Sequence, residues 1–369
     1  MNSENRFPGI TNINTNNSNY HMISPQNINT PASNSLNINS RAFIYPKHKN
    51  SSSTSTNKIN KVPNNNKDRI IEVYEDNFIK EIKRIGYYLK QYPFVGMDTE
   101  YPGIVHFCHV NTPDFYYKFI KNNVDKLKLI QLGITLSNEK GEFPQNICTW
   151  QFNLKFDCDK DDHSNESISL LFNSGIDFNL MKTKGISHSL FAEYFMVSGL
   201  VLNEEITWIS FNGFSDFAYL LKILLGDNLP EEENSFIDVI NLYFPNLYDI
   251  KYLINENELY KGGLNKLAKD LGVERTGEIH QAGSDSMLTS DVFFKLIKNN
   301  VITNIDLSKK KNILFGIGEG VDYNETFNYT KFAPDVDTTY LLQNINIGMS
   351  MRQNMNNGNI DLYGNQFIY

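Results

Sequence analysis

Phe94-Val95-Gly96-Met97-Asp98-Thr99-Glu100 is an apolar run that closes on two carboxylates one residue apart. The run reads as a buried strand. Because strand side chains alternate between faces, Asp98 and Glu100 point the same way. Two negative charges side by side at a sheet end repel each other and are costly to desolvate unless a cation stands between them. Hard carboxylate oxygens suit magnesium or manganese. A solvated strand end would also carry these two letters, so the pair needs support from the rest of the chain.

On either side of this strand the pattern continues. Apolar residues at helical spacing (Ile71, Phe78, Ile82, Ile85) predict an amphipathic helix over 70–91. Residues 113–126 read as a helix with Pro113 near its first turn. Residues 129–136 read as a buried strand, 138–141 as a turn and 147–154 as the pairing strand, so with the first strand they form a three-stranded antiparallel run. Helical patterns follow at 166–173 and 190–197, then a strand at 206–211, helices at 214–225 and 231–243, a short last strand at 247–253, and helices at 264–271 and 284–298. Strands first, then strands alternating with helices, predict an α/β architecture, a mixed sheet covered by helices. No internal repeat is present.

Composition bounds the rest. Residues 1–67 are dominated by Asn, Ser and Thr without apolar periodicity, and such a stretch cannot bury enough apolar area to offset its ordering entropy. It is expected to be disordered, as is a low-complexity tail at 323–369, which leaves a domain at 68–322. The N-terminal stretch lacks the apolar core of a signal peptide, and no apolar run reaches membrane-spanning length. Cys108, Cys148 and Cys158 make no metal-spaced pair, and an odd number argues against a disulfide framework. A soluble, intracellular protein without a membrane partner is expected. The formal charge of −8 speaks against gripping nucleic acid by a basic surface, but an acidic site loaded with divalent cations reverses that local logic.

Further carboxylates bear on Asp98 and Glu100. Asp216 lies at the start of the helix after the 206–211 strand, where ligands collect in open α/β sheets. Asp285 lies just inside another helix, with Ser284 as its candidate N-cap. Alone it reads as a helix-start acid favoured by the macrodipole. His280 precedes it in a loop of small residues. Two-metal phosphodiester cleavage needs bridging carboxylates for two ions about 3.5–4 Å apart. It also benefits from a base of near-neutral pKa, which histidine offers. Asp98, Glu100, Asp216, Asp285 and His280 meet those needs. His106, Cys108 and His109 fit no zinc spacing and read as ordinary strand or loop residues. Asp249 is open between a fifth acid of the site and a structural acid. The Lys309-Lys310-Lys311 run reads as solvated surface.

The segments 97–103 (Met-Asp-Thr-Glu-Tyr-Pro-Gly), 129–133 (Leu-Ile-Gln-Leu-Gly), 149–153 (Thr-Trp-Gln-Phe-Asn), 216–220 (Asp-Phe-Ala-Tyr-Leu), 248–253 (Tyr-Asp-Ile-Lys-Tyr-Leu) and 280–286 (His-Gln-Ala-Gly-Ser-Asp-Ser) together resemble the Caf/Pop-type deadenylases, in order from about residue 70 to 318. These are DEDD-superfamily 3′-to-5′ exoribonucleases of ribonuclease H-like fold, catalytic subunits of the Ccr–Not complex. The resemblance implies that Asp98, Glu100, Asp216 and Asp285 hold two divalent ions, Mg2+ or Mn2+, and that His280 orients or deprotonates the attacking water. It further implies poly(A) RNA as substrate, 5′-AMP as product, a Not-type scaffold and a second, Ccr-type deadenylase as partners, and a cytoplasmic location with a nuclear pool. Phe107 and Phe214, beside two of the acid segments, are the expected base contacts. The chain departs from the family at Asn212-Gly213-Phe214-Ser215, where His-Ser-Gly-Tyr is usual, and at Glu278, where an arginine is expected before the histidine. The first departure keeps open a second reading, a catalytically weak scaffold subunit of the same complex. A DNA-directed exonuclease would share the metal chemistry, and the segments at 248–253 and 280–286 disfavour it.

Overall fold

Residues 69–108, 114–255, 262–302 and 306–318 are described by the structure, a computed structural model. The expectations for 1–67 and 323–369, and those for Pro113 and His109, lie outside the described residues. Six strands form one mixed sheet in the order β1-β4-β3-β2-β5-β6. These are β1 (Ile70–Val73), β2 (Phe94–Glu100), β3 (Gln131–Ser137), β4 (Thr149–Asn153), β5 (Thr207–Ser210) and β6 (Leu247–Asp249). The expected antiparallel run is β2-β3-β4, and β1, β5 and β6 each join it in parallel pairing.

Two segments change type relative to the sequence reading. The helix expected over 70–91 is a strand followed by α1 (Glu75–Tyr88). Ile70, Ile71 and Val73 are β-branched and suit a pleated surface, and the Asn77 side chain accepts the Tyr74 N–H at 2.8 Å where the helix starts. The strand expected over 247–253 stops at Asp249, whose side chain accepts the Lys251 N–H and caps α8 (Ile250–Ile254).

The two faces of the sheet differ in chemistry. Val95, Met97, Leu132, Ile134, Leu136, Trp150 and Phe152 point into the main core. They meet α1, α5 (His188–Met196) and α6 (Phe214–Leu225) through Phe78, Phe191, Phe195 and Phe217. The opposite face carries Gly96, Asp98 and Glu100 on β2, Gln131, Gly133, Thr135 and Ser137 on β3, and Thr149, Gln151 and Asn153 on β4. One helix, α10 (Ala282–Lys298), covers this polar face. It settles there because both surfaces are small. A Cβ on Gly133 would lie 1.8 Å from the Ala282 carbonyl oxygen, and one on Gly96 would lie 2.7 Å from that of Ser286. Hydroxyls stitch the contact, Thr135 to Ser286 at 2.9 Å and Ser137 to Ser290 at 3.3 Å. Among the described residues no helix is long and apolar enough to cross a membrane.

Two outcomes follow from this packing. Gly133→Ala forces backbone apart from backbone and is expected to cost about 2–3 kcal/mol in urea unfolding, where an unchanged midpoint would refute the contact. His188, the first residue of α5, sets its Nε2 3.0 Å from the Leu129 carbonyl, and burial pushes its pKa from the ordinary 6.5 down to about 4. The folded chain therefore binds fewer protons there than the unfolded chain between those values. The stabilisation is complete above pH 6.5 and is lost as pH falls towards 4. Urea midpoints measured across that window should decline less steeply for His188→Gln than for the wild type.

Candidate active site

Three elements place the four acids of the expected site. Asp98 and Glu100 share a face at the end of β2, and Asp285 projects from the first turn of α10. One carboxylate oxygen from each of the three lies within 4.8 Å of the others. Asp216, in the first turn of α6, joins them through Thr99. The Thr99 N–H donates to Asp216 Oδ1 at 3.1 Å, and its hydroxyl donates to the same oxygen. Tyr101 adds a second tie, stacking on Tyr219 of α6 with ring centroids 5.0 Å apart and bonding its hydroxyl to Ser215.

The cluster is electrostatically strained. Withdrawal from water, then the charges of Asp216, Asp285 and Glu100, hold the Asp98 carboxyl well above the usual carboxylate range. Glu100 is held up by desolvation, then by Asp285 and Asp216. Burial pushes Asp216 up to about 7, against the pull of the Thr99 hydrogen bonds. Carboxylates converging from three elements with their charge this poorly compensated are a hard-oxygen donor set, and they fit divalent ions of the Mg2+ or Mn2+ class.

Among the described residues, Arg275 brings positive charge to these acids. Arg275 pairs with Asp285 Oδ1 at 2.6 Å, while Ser284 and Asn265 of α9 (Leu264–Asp270) hold its remaining nitrogens. It lowers the pKa values of both Asp98 and Glu100. Glu278, where an arginine was expected, is exposed, and the arginine that reaches Asp285 is Arg275.

His280 is exposed, and its backbone, at φ 62°, donates its N–H to Asp285 Oδ2 at 3.0 Å. Ser284 is not the N-cap of α10. The helix starts at Ala282 with Gln281 before it, and the Ser284 hydroxyl donates instead to the Thr276 carbonyl. Asp249 is not one of the three converging acids, although its charge helps to raise the Asp216 pKa. It accepts four backbone N–H groups, from Asn212, Gly213, Lys251 and Phe315, at 2.8–3.1 Å, and so ties the β5–α6 turn to the C-terminal segment. The departure at 212–215 forms that turn, with Asn212 left-handed at φ 59°, a conformation asparagine tolerates.

Phe214 is not a base contact in this structure. It is 2% exposed and packed among Tyr116, Tyr117 and Phe236, since the rotation of α6 that presents Asp216 to Thr99 turns residue 214 into the core. Phe107 is half-buried against Phe119. His106 pairs with Asp162 at 3.3 Å, and neither it nor Cys108 belongs to a metal-ligand group among the described residues. Lys310 lies over the Tyr252 ring and Lys311 bonds to Asn246, in keeping with a surface role. Thr99 and Arg275 carry no motif signal of their own. Only the alternation of the strand, which turns Thr99 away from Asp98 and Glu100, hinted at the first.

Comparison with known proteins gives a consistent result. The profile described as CAF1 family ribonuclease matches residues 73–194 and 195–293. The chain is 42% identical over 252 residues to the poly(A) ribonuclease pop2 of Schizosaccharomyces pombe, spanning 68% of this chain and 75% of that one. The solved structure of S. pombe Pop2p in its Mg2+- and Mn2+-bound form superimposes with a TM-score of 0.65 at 42% identity, covering 68% of this chain and all of that one. A yeast CAF1 co-crystallised with the NOT1 MIF4G domain matches with a TM-score of 0.58 at 30% identity, over 67% of this chain and 96% of that one.

If mutual repulsion dominates the cluster, removing one charge should help the metal-free fold. Asp98→Asn is expected to stabilise the protein in EDTA by about 1–2 kcal/mol and to diminish the rise in Tm on adding Mn2+. Destabilisation in EDTA would show that Asp98 is held by partners and not opposed by neighbours.

Proposed function

The chain belongs to the CAF1 family of ribonucleases, and from that premise we propose that it is a 3′-to-5′ exoribonuclease that shortens the poly(A) tails of mRNA and releases 5′-AMP. The observation that carries the reading is the convergence of Asp98, Glu100 and Asp285 within 4.8 Å, with Asp216 bonded to the residue between the first two. These four carboxylates would hold two divalent ions, Mg2+ or Mn2+, which when bound supply Lewis-acid stabilisation of the phosphoryl oxygens and an acidified water.

The chain's own groups do the rest. Thr99 fixes the Asp216 carboxylate against β2, so the fourth acid keeps its place relative to the other three. Arg275 offsets part of the negative charge that would otherwise repel an RNA phosphate from the cluster. His280 is tied to Asp285 by its backbone N–H and carries an exposed side chain, whose imidazole would take the proton of an attacking water. RNA is distinguished from DNA by the 2′-hydroxyl, the group only RNA offers.

The poly(A) ribonuclease of S. pombe, a relative at 42% identity, supports poly(A) as substrate, and its metal-bound structure supports Mg2+ or Mn2+. The yeast CAF1–NOT1 structure supports a Not-type scaffold as partner. A Ccr-type deadenylase as second partner, and action in the cytoplasm with a nuclear pool, complete the proposal.

The test is digestion of a 5′-labelled RNA ending in a poly(A) tail, with Mg2+ or Mn2+. Stepwise shortening that stalls at the non-A body is expected, with Asp98→Ala and Asp285→Ala slower by a factor on the order of 10^3 or more. Folded wild-type protein that shortens nothing with either ion would transfer the assignment to the catalytically weak scaffold subunit.

A further inference from the structure

We propose that Gln131 and Gln151 are positioning residues for the Asp285 carboxylate, acting through the first turn of α10; the proposal rests on the metal reading above. A helix leaves its first N–H groups without intrahelical partners. Gln281, at the N-cap of α10, makes no side-chain cap hydrogen bond. The caps come from the sheet instead. The Ala282 N–H donates to Gln131 Oε1 at 2.9 Å, and the Gly283 N–H donates to Gln151 Oε1 at 2.8 Å.

Both amides are held the right way round. Gln131 Nε2 donates to Asn153 Oδ1 at 2.8 Å and to Gln281 Oε1 at 3.3 Å. Gln151 Nε2 donates to Glu72 Oε1 and to Gln281 Oε1, both at 2.8 Å. Asn153 Nδ2 donates to Glu72 Oε2 at 2.7 Å, and Gln281 Nε2 donates to the Ser174 carbonyl at 2.8 Å. Turning either capping amide over would set an NH2 group against a backbone N–H and break the chain of donors and acceptors. The relay thus runs from Glu72 on β1 to the start of α10 with one polarity. Gly283 is required for it, since a Cβ there would lie 2.8 Å from Gln151 Oε1.

Asp285 sits two residues beyond Gly283, in the turn that these amides clamp. A slip of that turn moves its oxygens relative to Asp98 and Glu100. The role also accounts for the 129–133 and 149–153 segments, whose glutamines touch no metal-ligating carboxylate in any hydrogen bond described above.

The experiment compares Mn2+ affinity by calorimetry, and RNA turnover, for the full chain and two variants. Gln151→Met keeps the volume and removes the acceptor. Gln131→Met does the same at Ala282. Each variant is expected to weaken Mn2+ binding about tenfold and to lower kcat while KM for RNA stays within about twofold. A merely structural role would lower Tm and leave the Mn2+ affinity of folded protein unchanged. Folded Gln151→Met or folded Gln131→Met with wild-type Mn2+ affinity overturns the proposal. Should one variant fail to fold, the other decides alone, a tenfold loss supporting the proposal and wild-type affinity overturning it. If the wild type binds Mn2+ but cuts no RNA, the nuclease reading fails and the same Mn2+ comparison still decides the relay. A wild type that binds no Mn2+ overturns both.

Discussion

Backbone contact between α10 and strands β2 and β3 determines where the chemistry of this chain can sit. A helix packed on a sheet through ordinary side chains stands well off it, and its first-turn carboxylate would not reach a strand end. Here Gly96 and Gly133 remove the side chains on the sheet, and Gly283, Ser286 and Ser290 keep them small on the helix. Asp285 therefore meets Asp98 and Glu100 directly. The same closeness obliges the covered face to be polar, because the strand side chains beneath the helix start must answer its free N–H groups. Gln131 and Gln151 do so, and Thr135 and Ser137 continue the polar row along the helix.

Electrostatics then sets the tension that the packing must hold. Four carboxylates approach from β2, α6 and α10, and among the described residues Arg275 makes a direct ion pair with one of them, Asp285. The raised pKa values of Asp98, Glu100 and Asp216 reflect burial and charge held together against its preference. Two of the acids are fixed from outside the cluster, Asp216 by Thr99 and Asp285 by Arg275 and the His280 N–H, so a release of repulsion by their movement is blocked. A divalent ion relieves the same strain without movement, which is why preorganised acids bind ions and why such sites are unfavourable to fold without them.

How much of this the sequence disclosed depends on the range of the interaction. The period-2 pattern of β2 placed Asp98 and Glu100 on one face, and the starts of two helices placed Asp216 and Asp285, because those facts are local. The fate of Ile70–Val73 was not local. Ile71, Phe78, Ile82 and Ile85 satisfy a helical period, and only the parallel pairing of Ile70–Val73 with β4, from 79 residues away, makes the first stretch a strand. Phe214 was misjudged for a related reason. Its neighbour at 216 reaches the site, but residues two apart on a helix do not share a face. Arg275 escaped a reading by linear offset, since a loop fixes which residue folds back and not how many intervene. Asp249 was open by sequence and is settled by its four backbone donors, a pattern that only the assembled turns can create.

The loop from Arg275 to His280 shows how departures can be tolerated beside a demanding site. Its two ends grip the two oxygens of one carboxylate, Arg275 on Oδ1 and the His280 N–H on Oδ2. A carboxylate offers about four acceptor positions, so these two bonds leave room for a cation on the same group. The second grip also explains a non-glycine residue at φ 62°, an uncommon conformation that the bond to Asp285 compensates. Between the grips, Glu278 and Ile279 are exposed. What grips the aspartate is the Arg275 side chain and the His280 backbone, so the site depends on the span of the loop and on its end points.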